Sequence, residues 1–332
     1  MSELGTVAVT GATGFVGRYV VRTLLARGAR VRALTRDRQK AQAVLPQHPH
    51  LTLVPGQVLD RTAPAELLRG CQACVNLIGI IREAGKQTFE GAHVQSVRAL
   101  VDAATDAGGL RFVHISALGV TPDGKAAYQR TKFAGEQIIR KSALPWTILR
   151  PGLIHGPEGE LVRMIADWTA GRAAPWFFVP YFTRIVEHDE GVPAGRVSFE
   201  SAKIAPVSVV DVAETVARCL ERPQTVGEVY NLTGPDVMDW RQMLEIFADH
   251  LPDADSTLPI IGLPARPHAH MAAAASRIGL GGIFPFDAGQ AYMAEEDAVA
   301  DLDKVRADLG LEPRPFEPLV KQYAGALSTL PH

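Results

Sequence analysis

Short continuous apolar runs alternate with amphipathic stretches through the first 150 residues. "TVAVT" (6–10) precedes "FVGRYVVRTLLARG" (15–28), whose apolar positions recur at helical spacing up to a terminal Gly28. "ARVRAL" then predicts a second strand, "DRQKAQAVL" a helix, "LTLVPG" a third strand and "TAPAELLRG" a short helix ending in glycine. "ACVNLIGI" is a fourth strand, "FEGAHVQSVRALVDAATDAG" a long helix and "LRFVHISAL" a fifth strand. "AYQRTKFAGEQIIRKS" is a further helix and "WTILRP" a sixth strand. Strands apolar along their whole length have both faces covered, and the intervening helices supply the crossovers. The pattern predicts an α/β fold built on a doubly wound parallel sheet.

After Pro151 the alternation fails. A helix, an aromatic-rich segment and a polar loop come first. "VSVVDVAETVARCLERP" then reads as a strand and a helix with Asp211 as N-cap, and "GEVYNLTGP" as one more strand able to return to the main sheet. The tail from "WRQMLEIFADHL" is helical and punctuated by prolines; "MAAAAS" fits a helix turn, and no repeat is visible. The expected division is a sheet domain over 1–155, with a contribution from about 203–235, and a smaller substrate or capping lobe over 156–332. A chain of 332 residues suits one large core and a lesser one.

Composition narrows the function classes. With 47% hydrophobic and 21% charged residues and a formal net charge of −2, the chain has no electrostatic footprint for nucleic acid. No uncharged apolar run reaches the roughly 18 residues of a membrane span, and nothing near Met1 reads as a signal peptide. Three cysteines fit a reducing compartment. A cytoplasmic protein, or one peripheral to a membrane complex, is expected. Cys71 and Cys74 in "CQAC" lead into a strand and lack a second ligand pair, so they read as packing residues. "EHDE" (187–190) reads as solvated charge, "HAH" (268–270) lacks a cluster of further metal-ligating residues, and no metal site is expected.

"VTGATGFVG" (9–17) joins the first strand to the first helix. A helix N-terminus offers unpaired N–H groups and the positive end of a dipole, which suit a pyrophosphate. Gly11 permits the turn, Gly14 leaves room for the phosphates and Gly17 allows close helix–strand packing. The spacing is G-x-x-G-x-x-G inside a βαβ unit, so a dinucleotide (Rossmann-type) site competes with a merely tight structural turn. At the end of the second strand, Thr35 and Arg36 stand where NAD-preferring sites carry an acid, and Asp37 comes late. Arginine there suits a 2′-phosphate, favouring NADP(H) over NAD(H). The alternative is that Arg36 and Arg38 are solvated loop charges.

Tyr128 and Lys132 stand four apart on a predicted helix, hence on one face. A nearby ammonium favours the phenolate and lowers the phenol's pKa, preparing it for proton transfer. Taken with "TGATGFVG", "VNLIGI", "VHISALG", "YQRTK" and "ILRPGLIHGP", in that order, the chain resembles the short-chain dehydrogenase/reductase superfamily in its extended or atypical branch. "PVSVVDVAE", "GEVYNLTGP" and "DLDKVRADLGLEP" resemble the C-terminal half of extended members. "NLIG", "AHVQSVRALVDAA" and "HISALG" are most similar to the nucleotide-binding accessory subunits of respiratory complex I and their bacterial relatives.

The resemblance implies Tyr128 as acid/base, Lys132 tuning it and holding the nicotinamide ribose, and Ser116 as the third catalytic member. It implies Gly11, Thr13, Gly14, Phe15 and Gly17 around the pyrophosphate. Arg36 and Gln57 would lie at the adenosine end, and Pro151 and Gly152 beside the nicotinamide. Three departures stand out. Ser116 falls two positions before the usual hydroxyl, whose place Leu118 takes. His93 replaces a common Asn, and Gln57 replaces an acid near the adenine. These changes keep cofactor binding and weaken the case for turnover. His155 in "LIHGP" is either a substrate contact or a plain loop histidine. Segment 168–184 gathers Trp168, Trp176, Phe177, Phe178, Tyr181 and Phe182; it reads as a lid or core, or as a surface for a protein partner or membrane interface. An NADP(H)-dependent oxidoreductase or epimerase/dehydratase-type enzyme is the leading expectation. An accessory subunit or sensor that holds NADP(H) and acts through a partner is the other, and the small-molecule substrate is unresolved.

Overall fold

The computed structural model describes residues 4–187, 197–277 and 286–327. In chain order the elements are β1 (Thr6–Thr10), α1 (Phe15–Ala26), β2 (Arg30–Thr35), α2 (Arg38–Val44), β3 (Leu51–Pro55), α3 (Ala63–Leu68) and β4 (Ala73–Asn76). A π-helical turn (Gly91–Gln95) leads into α4 (Ser96–Asp106), followed by β5 (Arg111–Ile115), α5 (Ala127–Arg140) and β6 (Trp146–Pro151). Then come β7 (Ile154–His155), α6 (Glu160–Thr169), β8 (Val179–Glu187), β9 (Val197–Ser201), β10 (Lys203–Ile204), β11 (Val207–Ser208) and α7 (Val209–Glu221). The rest are β12 (Glu228–Leu232), β13 (Met238–Asp239), α8 (Trp240–His250), β14 (Ile260–Pro264), α9 (Ala265–Arg277), α10 (Ala288–Ala294), α11 (Asp303–Leu309) and α12 (Phe316–Leu327).

Seven strands form one sheet in the order β12-β6-β5-β4-β1-β2-β3, and every neighbouring pair is parallel. "GEVYNLTGP" therefore does return to the main sheet, as β12 beside β6. The order reverses between β1 and β4, so a crevice opens beyond their C-terminal ends, where doubly wound sheets bind ligands. One core cluster packs Ala8, Cys74, Phe112 and Ile148 of the sheet against Leu67, Leu100 and Ile139 of the flanking helices. All three cysteines are free thiols, and all are buried. Burial pushes Cys71 up to about 11, so it stays a protonated packing residue.

The chain divides into two compact units: 1–151 with 209–232 and 301–312, and 152–208 with 233–300 and 313–332. Residues 301–312, read from the sequence as part of the second lobe, belong with the sheet unit. Arg218 donates to Leu309 O (2.8 Å), Arg222 to Asp308 O (2.7 Å), and the Tyr230 hydroxyl to Asp308 Oδ2 (2.9 Å). The expected Asp211 cap also moves. α7 begins at Val209, directly after the last β11 residue, so Asp211 stands inside the first helical turn, buried, and not at the N-cap.

The second unit has its own core, where Val162, Ile165 and Trp168 of α6 meet Met243, Leu244 and Phe247 of α8 and Phe316 and Val320 of α12. Its strands form a β14-β8-β9 sheet and two short pairs, β7 with β11 and β10 with β13. Segment 168–184 splits. Trp168 is buried and its indole donates to Ala174 O (2.9 Å), whereas Trp176 and Phe177 are 64% and 68% exposed. Most of "EHDE" lies outside the described residues. Among the described residues no His/Cys/Asp/Glu cluster could hold a metal ion, and no helix is long and apolar enough to cross a membrane.

Candidate functional site

The glycine turn spans β1 to α1, beside the β1/β4 reversal. Gly11 has φ +68°, and a Cβ there would come within 2.9 Å of Leu77 backbone atoms. Gly14 caps α1 with no side-chain bond, and no acid stands in the first helical turn. A Cβ on Gly17 would overlap the Gly11 carbonyl oxygen and lie 2.8 Å from Ala12 Cα, so α1 approaches the turn as only glycine allows. Thr13 and Phe15 flank Gly14 and are half-buried. The N–H groups of the first turn thus face outward with no competing carboxylate, which suits a phosphate.

At the end of β2, Asp37 is committed to its own helix. Its carboxylate accepts from Lys40 N (3.0 Å), and Thr35 Oγ1 donates to Asp37 O (2.8 Å). Arg36 beside it is exposed. Gln57 is exposed too, its N–H bonded to Asp60 Oδ2 at 2.6 Å, so an acid does stand near this edge, three residues later than expected.

Beneath the crevice a polar row crosses three strands at one register. Thr10 pairs with Asn76, and Asn76 with His114. Asn76 Oδ1 accepts from Thr10 Oγ1 (2.7 Å) and Ile78 N (3.2 Å), so its amide nitrogen donates to His114 Nδ1 (3.1 Å). That leaves the proton of the buried, neutral His114 on Nε2, which has no partner among the described residues. Burial, with Lys132 and His93 nearby, holds this imidazole well below its ordinary pKa. The sequence reading missed this row. Its signal was a polar residue at the same rung of three otherwise apolar strands.

On α5, Lys132 is buried and donates to Ile115 O (2.9 Å). Burial pushes the ammonium down to about 8, against the opposing pull of Glu136. Glu136, fully buried, accepts a two-pronged bond from Arg150 (2.8 and 2.6 Å) and anchors α5 to β6. Tyr128 is half-buried, its ring edge-on to His93 (5.3 Å) and to Phe89 (6.1 Å). Its phenol is pushed up to about 12 by burial, the reverse of the lowering expected from Lys132. Desolvation of the phenol itself is the cause, with no opposing contribution from Lys132.

Ser116 lies just past β5, buried, with no partner for its hydroxyl among the described residues. Ser116 N bonds Leu149 O, and Leu118 N bonds Pro151 O. The strand pairing therefore continues, so both side chains share a face with Ser116 one rung deeper. Pro151 closes β6 and is buried. His155 belongs to the second unit; its Nδ1 lies 3.1 Å from the Tyr323 hydroxyl, and burial lowers its pKa to about 4. It is a packed histidine, not a loop one. His268 of "HAH" bonds Pro264 O at 2.7 Å through Nδ1.

The glycine turn lies within a match to the NAD(P)H-binding family model, which covers residues 11–172. Residues 11–172 are similar to that NAD(P)H-binding family. The chain is homologous to subunit 9 of the NADH dehydrogenase (ubiquinone) 1 alpha subcomplex. It is 29% identical to the mitochondrial protein of Rattus norvegicus over 251 residues, 71% of this chain and 58% of that protein. The ceramide reductase of Caulobacter vibrioides is 33% identical over 158 residues, 46% of this chain and 47% of the reductase. The chain thus spans about half to three-fifths of the length of these relatives. Among solved structures, that of gox2253 superposes with a TM-score of 0.67 and 27% identity, over 95% of each chain. The relatives that the chain resembles thus include both a reductase and a subunit of NADH dehydrogenase.

Proposed function

We propose that the protein is an NADP(H)-dependent oxidoreductase that reduces a carbonyl, with Tyr128 as the proton donor. The observation that carries this reading is the pairing on α5 of a protonated, half-buried phenol with a buried lysine one turn on. A phenol held near 12 keeps its proton at neutral pH, the form in which Tyr128 would donate to a carbonyl oxygen. The bound nicotinamide would supply the hydride. Gly11, Gly14, Gly17 and the open end of α1 would hold the pyrophosphate, with Thr13 and Phe15 flanking it. Arg36 would meet the adenosine 2′-phosphate, since Asp37 is occupied as a helix cap, and Gln57 lies at the same edge. Lys132 would meet the nicotinamide ribose. Its ammonium would also stabilise negative charge as Tyr128 gives up its proton. Pro151 would border the nicotinamide, and Ser116 would contribute its unpartnered hydroxyl.

A second reading has its own support. Ser116 sits one rung deeper than the family's usual hydroxyl, and Trp176 and Phe177 are exposed. In it the domain holds NADP(H) without turnover and the aromatic pair docks a protein partner.

Fluorescence titration with NADPH and NADH, followed by NADPH oxidation against a panel of carbonyl compounds, separates the two. Oxidation abolished by Tyr128→Phe supports the enzyme. Tight binding with no turnover on any carbonyl supports the second reading, and binding of neither cofactor refutes both.

A further inference from the structure

His93 stands where three elements of the site converge: the chain leaving β4, the π turn and α5. Its Nε2 accepts the Ile80 N–H (3.2 Å), tying down the chain that leaves β4. With that nitrogen an acceptor, the proton sits on Nδ1 and is donated to Thr131 Oγ1 (2.9 Å). Thr131 sends its own hydrogen to Ala127 O (2.8 Å), so the hydroxyl is free to accept. The ring stacks on Phe89 (5.5 Å) and receives Tyr128 edge-on. Two glycines make the approach possible: a Cβ on Gly135 would overlap His93 O, and one on Gly79 would lie 3.0 Å from Lys132 Nζ. The π turn carrying His93 places its backbone against α5.

We propose that His93 is a positioning residue for Tyr128 and Lys132, a neutral pin that fastens the β4 loop and the π turn to α5 and keeps water from the lysine. The proposal rests on the reading of Tyr128 and Lys132 as the working pair. His93 is not an acid or a base here: both ring nitrogens are engaged, and burial beside Lys132 keeps the imidazole neutral down to about pH 3. Around Lys132 stand His93 from the π turn, His114 from β5, and Tyr128 and Glu136 from α5, the last paired with Arg150. The two histidines are neutral, so removing His93 changes solvation and leaves the local charge unaltered.

The test is the titration of Lys132, followed by NMR of 13Cε-labelled lysine assigned with Lys132→Arg, beside NADPH affinity. In His93→Ala water reaches the ammonium, and the midpoint rises by about one pH unit or more from near 8. NADPH binds about tenfold more weakly. Glutamine offers an acceptor and a donor at similar reach, so His93→Gln returns both values most of the way. An unmoved midpoint in folded His93→Ala overturns the pin. So does a rise that glutamine fails to reverse, because loss of packing alone then explains it. If His93→Ala does not fold, Thr131→Val removes the Nδ1 acceptor and must move the midpoint in the same direction; no movement overturns the proposal. Failure of the wild-type protein to bind NADPH refutes the functional reading, while the lysine titration still decides the pin.

Discussion

Three alanine substitutions in the glycine turn should separate folding from cofactor binding. At Gly17 an added methyl overlaps the Gly11 carbonyl oxygen and stands 2.8 Å from two Ala12 backbone atoms. Relief requires α1 to move away from the turn by about 1 Å, and overpacking against rigid backbone costs about 1–3 kcal/mol or more. Better helix propensity returns up to about 1 kcal/mol of that, so Gly17→Ala should lose roughly 1–2 kcal/mol. Gly11→Ala adds left-handed strain at φ +68° to contacts of 2.9 Å with Leu77, and should lose about 2–4 kcal/mol. At Gly14 the nearest atom is Gly11 O at 3.2 Å and φ is −73°, so the fold should tolerate alanine within about 0.5 kcal/mol. Its methyl would stand where the pyrophosphate is proposed to approach, weakening NADPH by about tenfold or more. Urea unfolding reads the first quantity and NADPH fluorescence the second. Full affinity in Gly14→Ala would falsify the placement of the pyrophosphate, and wild-type stability in Gly17→Ala would refute the close-packing account.

Arg36→Ala should weaken NADPH about tenfold and leave NADH unchanged, as expected for loss of one charge-assisted bond at an exposed site; equal loss for both cofactors would rule out the 2′-phosphate role. Glu136→Gln leaves Arg150 without its carboxylate and should cost about 2–4 kcal/mol in urea unfolding, less than a fully buried pair because Arg150 keeps 20% exposure. His93 and His155 are depressed to about 3 and 4 in the folded chain, so their contribution is complete above pH 6.5 and is lost as the pH falls towards those values. Stability should then drop by up to about 1.4 kcal/mol per pH unit for each histidine. A His155→Phe variant, measured by thermal melts from pH 7 to 4.5, should show a shallower decline, and an unchanged slope would contradict this assignment.

The order of strands and helices up to Pro151, the glycine turn and the shared face of Tyr128 and Lys132 were legible in the sequence. Each follows from a local rule: an apolar period, a turn that needs glycine, or four residues per helical turn. Tertiary structure decided the rest. The row of Thr10, Asn76 and His114 depends on strand register, and strands far apart in sequence become neighbours only when the sheet assembles. Capture of 301–312 by Arg218, Arg222 and Tyr230 depends on bonds across some 80 to 90 residues. Asp211 falls inside α7 and not at its N-cap because β11, paired with β7, runs straight into the helix. The direction of the Tyr128 shift was beyond reach for the same reason. Charge spacing is written along the chain, but desolvation is a property of what the folded chain packs around a group, and burial leads the shifts of both Tyr128 and Lys132.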